Sequence, residues 1–161
     1  MKTKTLGIVV VIAVVVVAAV LVAVSRGSSS ASASSFEGQV IKPGAFAVAD
    51  YAGRPLVVNV FGSWCPPCNA EAPDLAKFSQ SNPGAQVVGV ASEDTQKAAE
   101  DFMVQYGLTY PLVVDDGSLI SQFAISAYPT TIFFDAKGKE VDRLVGASTV
   151  DQFNASLAKA Q

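Results

Sequence analysis

The stretch "FGSWCPPCNAEAP", residues 61–73, holds the only two cysteines of the chain, Cys65 and Cys68. Two thiols at that spacing can hold a metal, staple a loop or exchange electrons. A structural zinc site needs four ligands, usually cysteine or histidine. The chain offers two cysteines and no histidine, so neither zinc nor a cysteine-plus-histidine copper site is expected. A purely structural disulfide gains stabilisation as the loop it closes lengthens, and a loop this short leaves little to restrain. Exchange fits the setting. An apolar run ending in Gly62 precedes Cys65, and helix-starting residues follow it. Its sulfur is thereby placed at a helix N-terminus, where unpaired N–H groups and the macrodipole favour a thiolate. Thiolate is the attacking species in disulfide exchange. Cys68, one turn into the same helix, is placed to resolve the mixed disulfide, and Pro66 occupies the first helical position, where proline is tolerated best.

The elements that must position these thiols alternate along the chain. "PLVVNVFG" (55–62) and "AQVVGVAS" (85–92) are apolar, β-branched runs suited to strands buried on both faces. Residues 66–80 read as a helix with apolar positions at Ala72, Leu75, Ala76 and Phe78, and Pro73 inside it predicts a kink. An amphipathic helix over 94–107 closes on Gly107. A strand over 110–116 and a short helix from Ser118 to Phe123 follow. Residues 130–146 read as two strands joined at Lys137–Gly138. The last helix begins near Ser148, with Asp151 three residues on as a capping box. Upstream, residues 36–55 have room for a short hairpin. The alternation describes an α/β domain with a sheet covered on both faces.

The N-terminal part is different. Leu6–Val24 carries no charge and no polar side chain. As a helix rising about 1.5 Å per residue it would be roughly 28 Å long, near the thickness of a bilayer's hydrocarbon core. Lys2 and Lys4 precede it and Arg26 follows, so the flanking charge keeps the N-terminus cytoplasmic and exports the rest. The competing reading is a cleaved signal peptide, with "ASA" at 31–33 as the processing site, but its apolar core would exceed the usual ~7–15 residues. The expected organisation is a membrane anchor over 1–24, a Ser/Ala-rich spacer over 25–35 and a globular domain over 36–161. Exported domains meet an oxidising compartment, in which disulfides form and persist. The globular part carries eight basic and fourteen acidic residues, a net charge of −6. With no basic patch, nucleic acid is not an expected partner.

"VVNVFGSWCPPCNAEAPDL", followed further on by "AYPTTIFFDAKGKEV", resembles the thioredoxin superfamily, and within it the membrane-anchored TlpA/ResA-like thiol–disulfide oxidoreductases. The resemblance covers essentially all of 36–161, and the N-terminal anchor matches as well. It implies a thioredoxin-like α/β fold, a central mixed sheet with helices on both faces, preceded by one transmembrane helix. It implies that Cys65 is the exposed attacking thiol and Cys68 the buried resolving one. Pro129 would be a cis-proline facing the disulfide, where the composition alone allows an ordinary strand-initiating proline. Trp64, Tyr128 and Pro129 would contact a bound substrate segment. Asn59 stands where cytoplasmic thioredoxins carry a buried aspartate, and relatives with asparagine there often place a glutamate at the position of Glu71. That glutamate shares a helix face with Cys68. It would accept the Cys68 proton and oppose thiolate formation; the alternative is a solvated glutamate favoured by the helix dipole.

The same residues bear on the direction of electron flow. Pro66 and Pro67 supply no N–H to a Cys65 thiolate, and no histidine stands between the cysteines, so the couple is expected to be reducing. The resemblance then implies reduction of exported cysteine-containing proteins, such as apocytochrome c. Electrons would come from a membrane thiol–disulfide carrier, since the chain carries no flavin or nicotinamide motif. The alternatives are an oxidase that introduces disulfides into exported proteins, a thiol peroxidase, or an anchored binding module in which the cysteines are dispensable.

Overall fold

A computed structural model describes residues 35–42 and 44–161. The anchor and spacer expected over 1–35 lie, but for Ser35, outside the described residues. Among the described residues no helix is long and apolar enough to cross a membrane.

Four strands are parallel: β1 (Val40–Ile41), β2 (Leu56–Phe61), β3 (Gln86–Ala91) and β4 (Leu112–Val114). β5 (Thr130–Phe134) runs antiparallel to β2, and β6 (Glu140–Val145) antiparallel to β5. The order across the sheet is β1-β4-β3-β2-β5-β6, so β2 and β3, the two continuous apolar runs, lie inside it. The period of two along β2 sends Val57, Asn59 and Phe61 to one face and Leu56, Val58 and Val60 to the other, all of them buried.

The first face is covered by α1 (Pro66–Ser81), α2 (Gln96–Gln105) and α4 (Val150–Leu157). Leu75 and Phe78 of α1, Phe102 and Met103 of α2, and Phe153 and Leu157 of α4 bury into it. Phe61 stacks on Phe102 with ring centroids 4.7 Å apart, and Phe78 meets Phe153 at 5.4 Å. The second face is closed by α3 (Ser118–Gln122) and a 3₁₀ turn at Val48–Tyr51, through Leu119, Phe123 and Phe46. This is the thioredoxin-like mixed sheet with helices on both faces that the sequence implied.

Two expectations differ from the structure. Residues 36–55 do not form a hairpin: Val40–Ile41 pairs in parallel with Leu112–Val113, and the chain returns as the 3₁₀ turn. The open edge of β4 offers pairing partners that residues 46–51, with no alternating pattern, do not. The last helix is capped by Thr149 and Gln152 rather than by Ser148 and Asp151; the Thr149 hydroxyl accepts from the Gln152 N–H, and the Gln152 side chain accepts from the Thr149 N–H. As expected, Pro73 lies inside α1, which runs from Pro66 to Ser81. Where the predicted elements end, they end on the expected chemistry. Gly107, past the C-terminus of α2, has φ +65, a conformation costly for residues with a Cβ.

Candidate active site

β2 delivers Asn59 from its first face and ends at Phe61, so the next four residues emerge at the carboxyl end of the parallel strands. Gly62 has no side chain, and a Cβ there would come within 2.6 Å of the Trp64 indole. Trp64 therefore lies directly against the Gly62 backbone. Cys65 is the N-cap of α1 and Cys68 its third residue, and their sulfurs are joined in a disulfide. The Cys68 N–H donates to Cys65 Sγ at 3.2 Å. Because the two residues between are prolines, Cys68 supplies the first N–H of the helix, and it is aimed at the sulfur that would carry the negative charge. Both cysteines are buried, Cys65 with 3% and Cys68 with 2% of its surface exposed. Cys65 is thus less accessible in the disulfide form than the resemblance implied. It packs as a residue of the core cluster on the first face.

The Tyr128–Pro129 bond is cis, and β5 starts immediately after it. Trp64 meets Tyr128 edge to face, with ring centroids 5.7 Å apart. Ser92, at the end of β3, ties the two aromatics together: its carbonyl accepts from Trp64 Nε1 at 3.3 Å, and its hydroxyl shares a hydrogen bond with the Tyr128 hydroxyl at 2.8 Å. Trp64 and Val145 are the large hydrophobic residues left exposed among the described residues, at 52% and 62%. Val145 pairs with Thr130, beside Pro129. Exposed apolar side chains therefore lie next to the Tyr128–Pro129 segment, Trp64 against Tyr128 and Val145 paired with Thr130.

Glu71 is buried one helical turn beyond Cys68, with 3% of its surface exposed. Its carboxylate accepts from Asn59 Nδ2 at 2.9 Å and from the Ser148 N–H at 2.8 Å. The second amide proton of Asn59 goes to Thr131 Oγ1 at 2.9 Å, which fixes the amide's orientation. Burial pushes the Glu71 carboxyl up to about 7; the two hydrogen bonds pull it partly back, and the charge of Asp74 adds a small push upward. A solvated glutamate is thereby excluded. Its oxygens are held by Asn59 and Ser148, not by a cysteine.

The residues singled out in the sequence therefore gather at one end of the sheet: Trp64, Cys65 and Cys68 on the β2–α1 turn, Tyr128 and Pro129 opposite, and Glu71 beneath. Several partners are not legible in the sequence. Ser148 reaches Glu71 through its backbone N–H across 77 residues, and no side-chain type marks such a donor. Ser92, one residue past β3, and Thr131, inside β5, are buried polar residues next to apolar runs, which is the one signal that could have pointed to them. Among the described residues no group of His, Cys, Asp and Glu is arranged to hold a metal ion.

The sequence matches the AhpC/TSA family over residues 30–141. It is 29% identical over 113 residues to the thiol-disulfide oxidoreductase ResA of Bacillus thuringiensis, covering 68% of this chain and 65% of that protein. It is 29% identical over 126 residues to the soluble secreted antigen MPT53 of Mycobacterium bovis, covering 76% of this chain and 73% of that one. Among solved structures, a secreted Mycobacterium tuberculosis disulfide oxidoreductase superposes with a TM-score of 0.64 at 29% identity, covering 70% of this chain and 87% of the other. The chain spans just under two thirds of the length of the ResA proteins that it matches. With the family matched over residues 30–141 and the fold shared with a solved relative, the chain belongs to the thioredoxin-like AhpC/TSA family.

Proposed function

We propose that the protein is an extracytoplasmic thiol–disulfide oxidoreductase that works as a reductant of exported proteins, apocytochrome c among the candidate substrates. The observation that carries this reading is the Cys65–Cys68 pair at the start of α1, with an N–H aimed at Cys65 Sγ and exposed apolar side chains next to Tyr128 and Thr130. In the dithiol form, the Cys65 thiolate attacks a substrate disulfide held along Tyr128–Pro129. A bond forms between Cys65 and one substrate sulfur, and the other substrate sulfur leaves as a thiolate and takes a proton. Cys68 then gives its proton to Glu71 or to water and attacks Cys65 Sγ. The second substrate sulfur leaves, and the Cys65–Cys68 disulfide forms. The substrate gains two electrons and two protons; the protein loses them and recovers them from a membrane thiol–disulfide carrier. A carboxyl held near neutrality is suited to this transfer, since it can accept a proton at neutral pH and release it again.

The reducing direction is supported by what surrounds Cys65. Among the described residues one N–H reaches its sulfur, and no cationic side chain lies between the cysteines. The buried Glu71, once ionised, disfavours a second negative charge nearby. Export is supported by the uncharged run Leu6–Val24 and by the secreted relatives. The proposed organisation remains an anchor over 1–24, a spacer over 25–35 and a catalytic domain over 36–161.

A Cys68→Ser variant tests the scheme, because it can form the mixed disulfide but cannot resolve it. Expressed as the full chain, it should accumulate reducible covalent adducts with exported proteins, and Cys65→Ser should accumulate none. Absence of adducts in the first variant, or peroxide consumption by the wild type at a rate rivalling disulfide exchange, would set this function aside.

A further inference from the structure

The loop that carries Cys65 is gripped from two sides by polar side chains. On one side stands Asn69, on the first turn of α1. Its amide nitrogen donates to the Ser63 carbonyl at 3.0 Å and to the Cys65 carbonyl at 2.8 Å. Its amide oxygen accepts from the Tyr106 hydroxyl at 2.8 Å. On the other side, Asp94 accepts from the Ser63 N–H and from the Ser63 hydroxyl, each at 2.7 Å. Asp94 follows Glu93, whose φ of +53 turns the chain after β3 toward the loop. An asparagine amide has two N–H donors and one strong acceptor, and Asn69 uses all three. Aspartate could accept from Tyr106 but would set oxygen against both carbonyls.

The anchor of this arrangement is packed on the core. Tyr106 caps α2 and packs against Phe102 at 4.9 Å, and Phe102 stacks on Phe61, four residues before Cys65. The hydroxyl that orients Asn69 is therefore referenced to the same core as the strand that delivers the loop. The Cys65 carbonyl also accepts the Asn69 backbone N–H at 3.1 Å, so one residue holds it through both main chain and side chain. These bonds act on the backbone and do not depend on the disulfide. They can hold Cys65 at the N-cap after the sulfurs part, when nothing covalent keeps Cys65 Sγ near the Cys68 N–H.

We propose that Asn69, oriented by Tyr106, is a positioning residue for Cys65: by holding the Ser63 and Cys65 carbonyls it keeps the reduced Cys65 sulfur on the Cys68 N–H. The proposal rests on the thiol-exchange reading for its functional meaning, but its structural content is testable without a substrate. No bond to Asn69 or Tyr106 forms or breaks during exchange.

The test uses the reduced full chain, with the rate of Cys65 alkylation by iodoacetamide followed against pH and the modified cysteine assigned by mass spectrometry. Asn69→Ala and Tyr106→Phe should each move the midpoint of the pH profile upward by about half a unit, because the thiolate loses a fixed donor. Thiolate at neutral pH then falls by about threefold. Asn69→Asp should move the midpoint further than Asn69→Ala, by about one unit, since it also brings a negative charge beside the thiolate. A role confined to stability predicts no such ordering. Tyr106→Phe keeps the ring packing, so it remains informative if an Asn69 variant fails to fold. Midpoints matching the wild type in Tyr106→Phe and in the folded Asn69 variants would overturn the positioning role. A wild-type chain that shows these shifts on substitution yet exchanges no disulfides would overturn the proposed function and leave the positioning role standing.

Discussion

Glu71 shows how one buried side chain links the site to the stability of the protein. Its folded-state carboxyl titrates at about 7, against an ordinary value of 4.5, with burial as the main cause. Between those values the folded state holds a proton that the unfolded state has released. The stabilisation is therefore complete below about pH 4.5 and is lost as the pH rises through about 7. Each pH unit between the two midpoints is worth about 1.36 kcal/mol, so the loss amounts to about 3 kcal/mol. Urea unfolding of the oxidised chain at about pH 5 and about pH 8 should show the lower stability at the higher pH, and Glu71→Gln should remove most of the difference. Glutamine cannot satisfy both donors, Asn59 Nδ2 and the Ser148 N–H, so the variant should also lose about 1 kcal/mol at the lower pH. An unchanged difference between the two conditions in Glu71→Gln would contradict this account of the carboxyl.

At the scale of elements, α4 does two jobs: it packs Phe153 against Phe78 of α1, and the residues before it present the Ser148 N–H to Glu71. The capping box at Thr149 and Gln152 fixes where that helix starts. Thr149→Ala should cost about 1 kcal/mol in unfolding free energy. Ser148→Ala should cost far less, because Ser148 serves Glu71 through its backbone and its hydroxyl only reaches the Gly146 carbonyl at 3.2 Å. Chemical denaturation of both variants checks the order, and equal losses would contradict the assignment of the cap to Thr149. The expectation of a cap at Ser148 is instructive. Ser148 and Thr149 are both good caps with acceptable partners three residues on, and local pattern cannot separate them. What separates them is the demand of a carboxylate 77 residues away for the Ser148 N–H. The same limit explains the hairpin expected over 36–55. Val40–Ile41 finds its partner in β4, far downstream, and a two-residue strand carries no sign of whom it will pair with. By contrast, β2 and β3 are legible because they are buried on both faces, and α1 because its cap, its prolines and its apolar positions agree.

The whole molecule places the disulfide where the parallel strands end and the antiparallel β5 begins beside them, so one turn and one loop face each other across a short gap. The resemblance locates the residues that line that gap, and the spacing of Cys65 and Cys68 points to their chemistry independently. Neither can supply the depth at which the cysteines sit, because burial is a property of the closed fold around Trp64, Ser92 and Tyr128. Nor can they supply the grip of Asn69, Tyr106 and Asp94 on the loop, whose members come from separate parts of the chain. The arrangement as a whole, with one N–H on Cys65 and a buried carboxyl one turn beyond Cys68, supports the reducing direction proposed above. The reduction potential of Cys65–Cys68 in the full chain, equilibrated against dithiothreitol or glutathione buffers, tests this most directly. A value near about −270 mV, that of thioredoxin, is the result predicted; a value near about −120 mV, that of a strong oxidant, would contradict it.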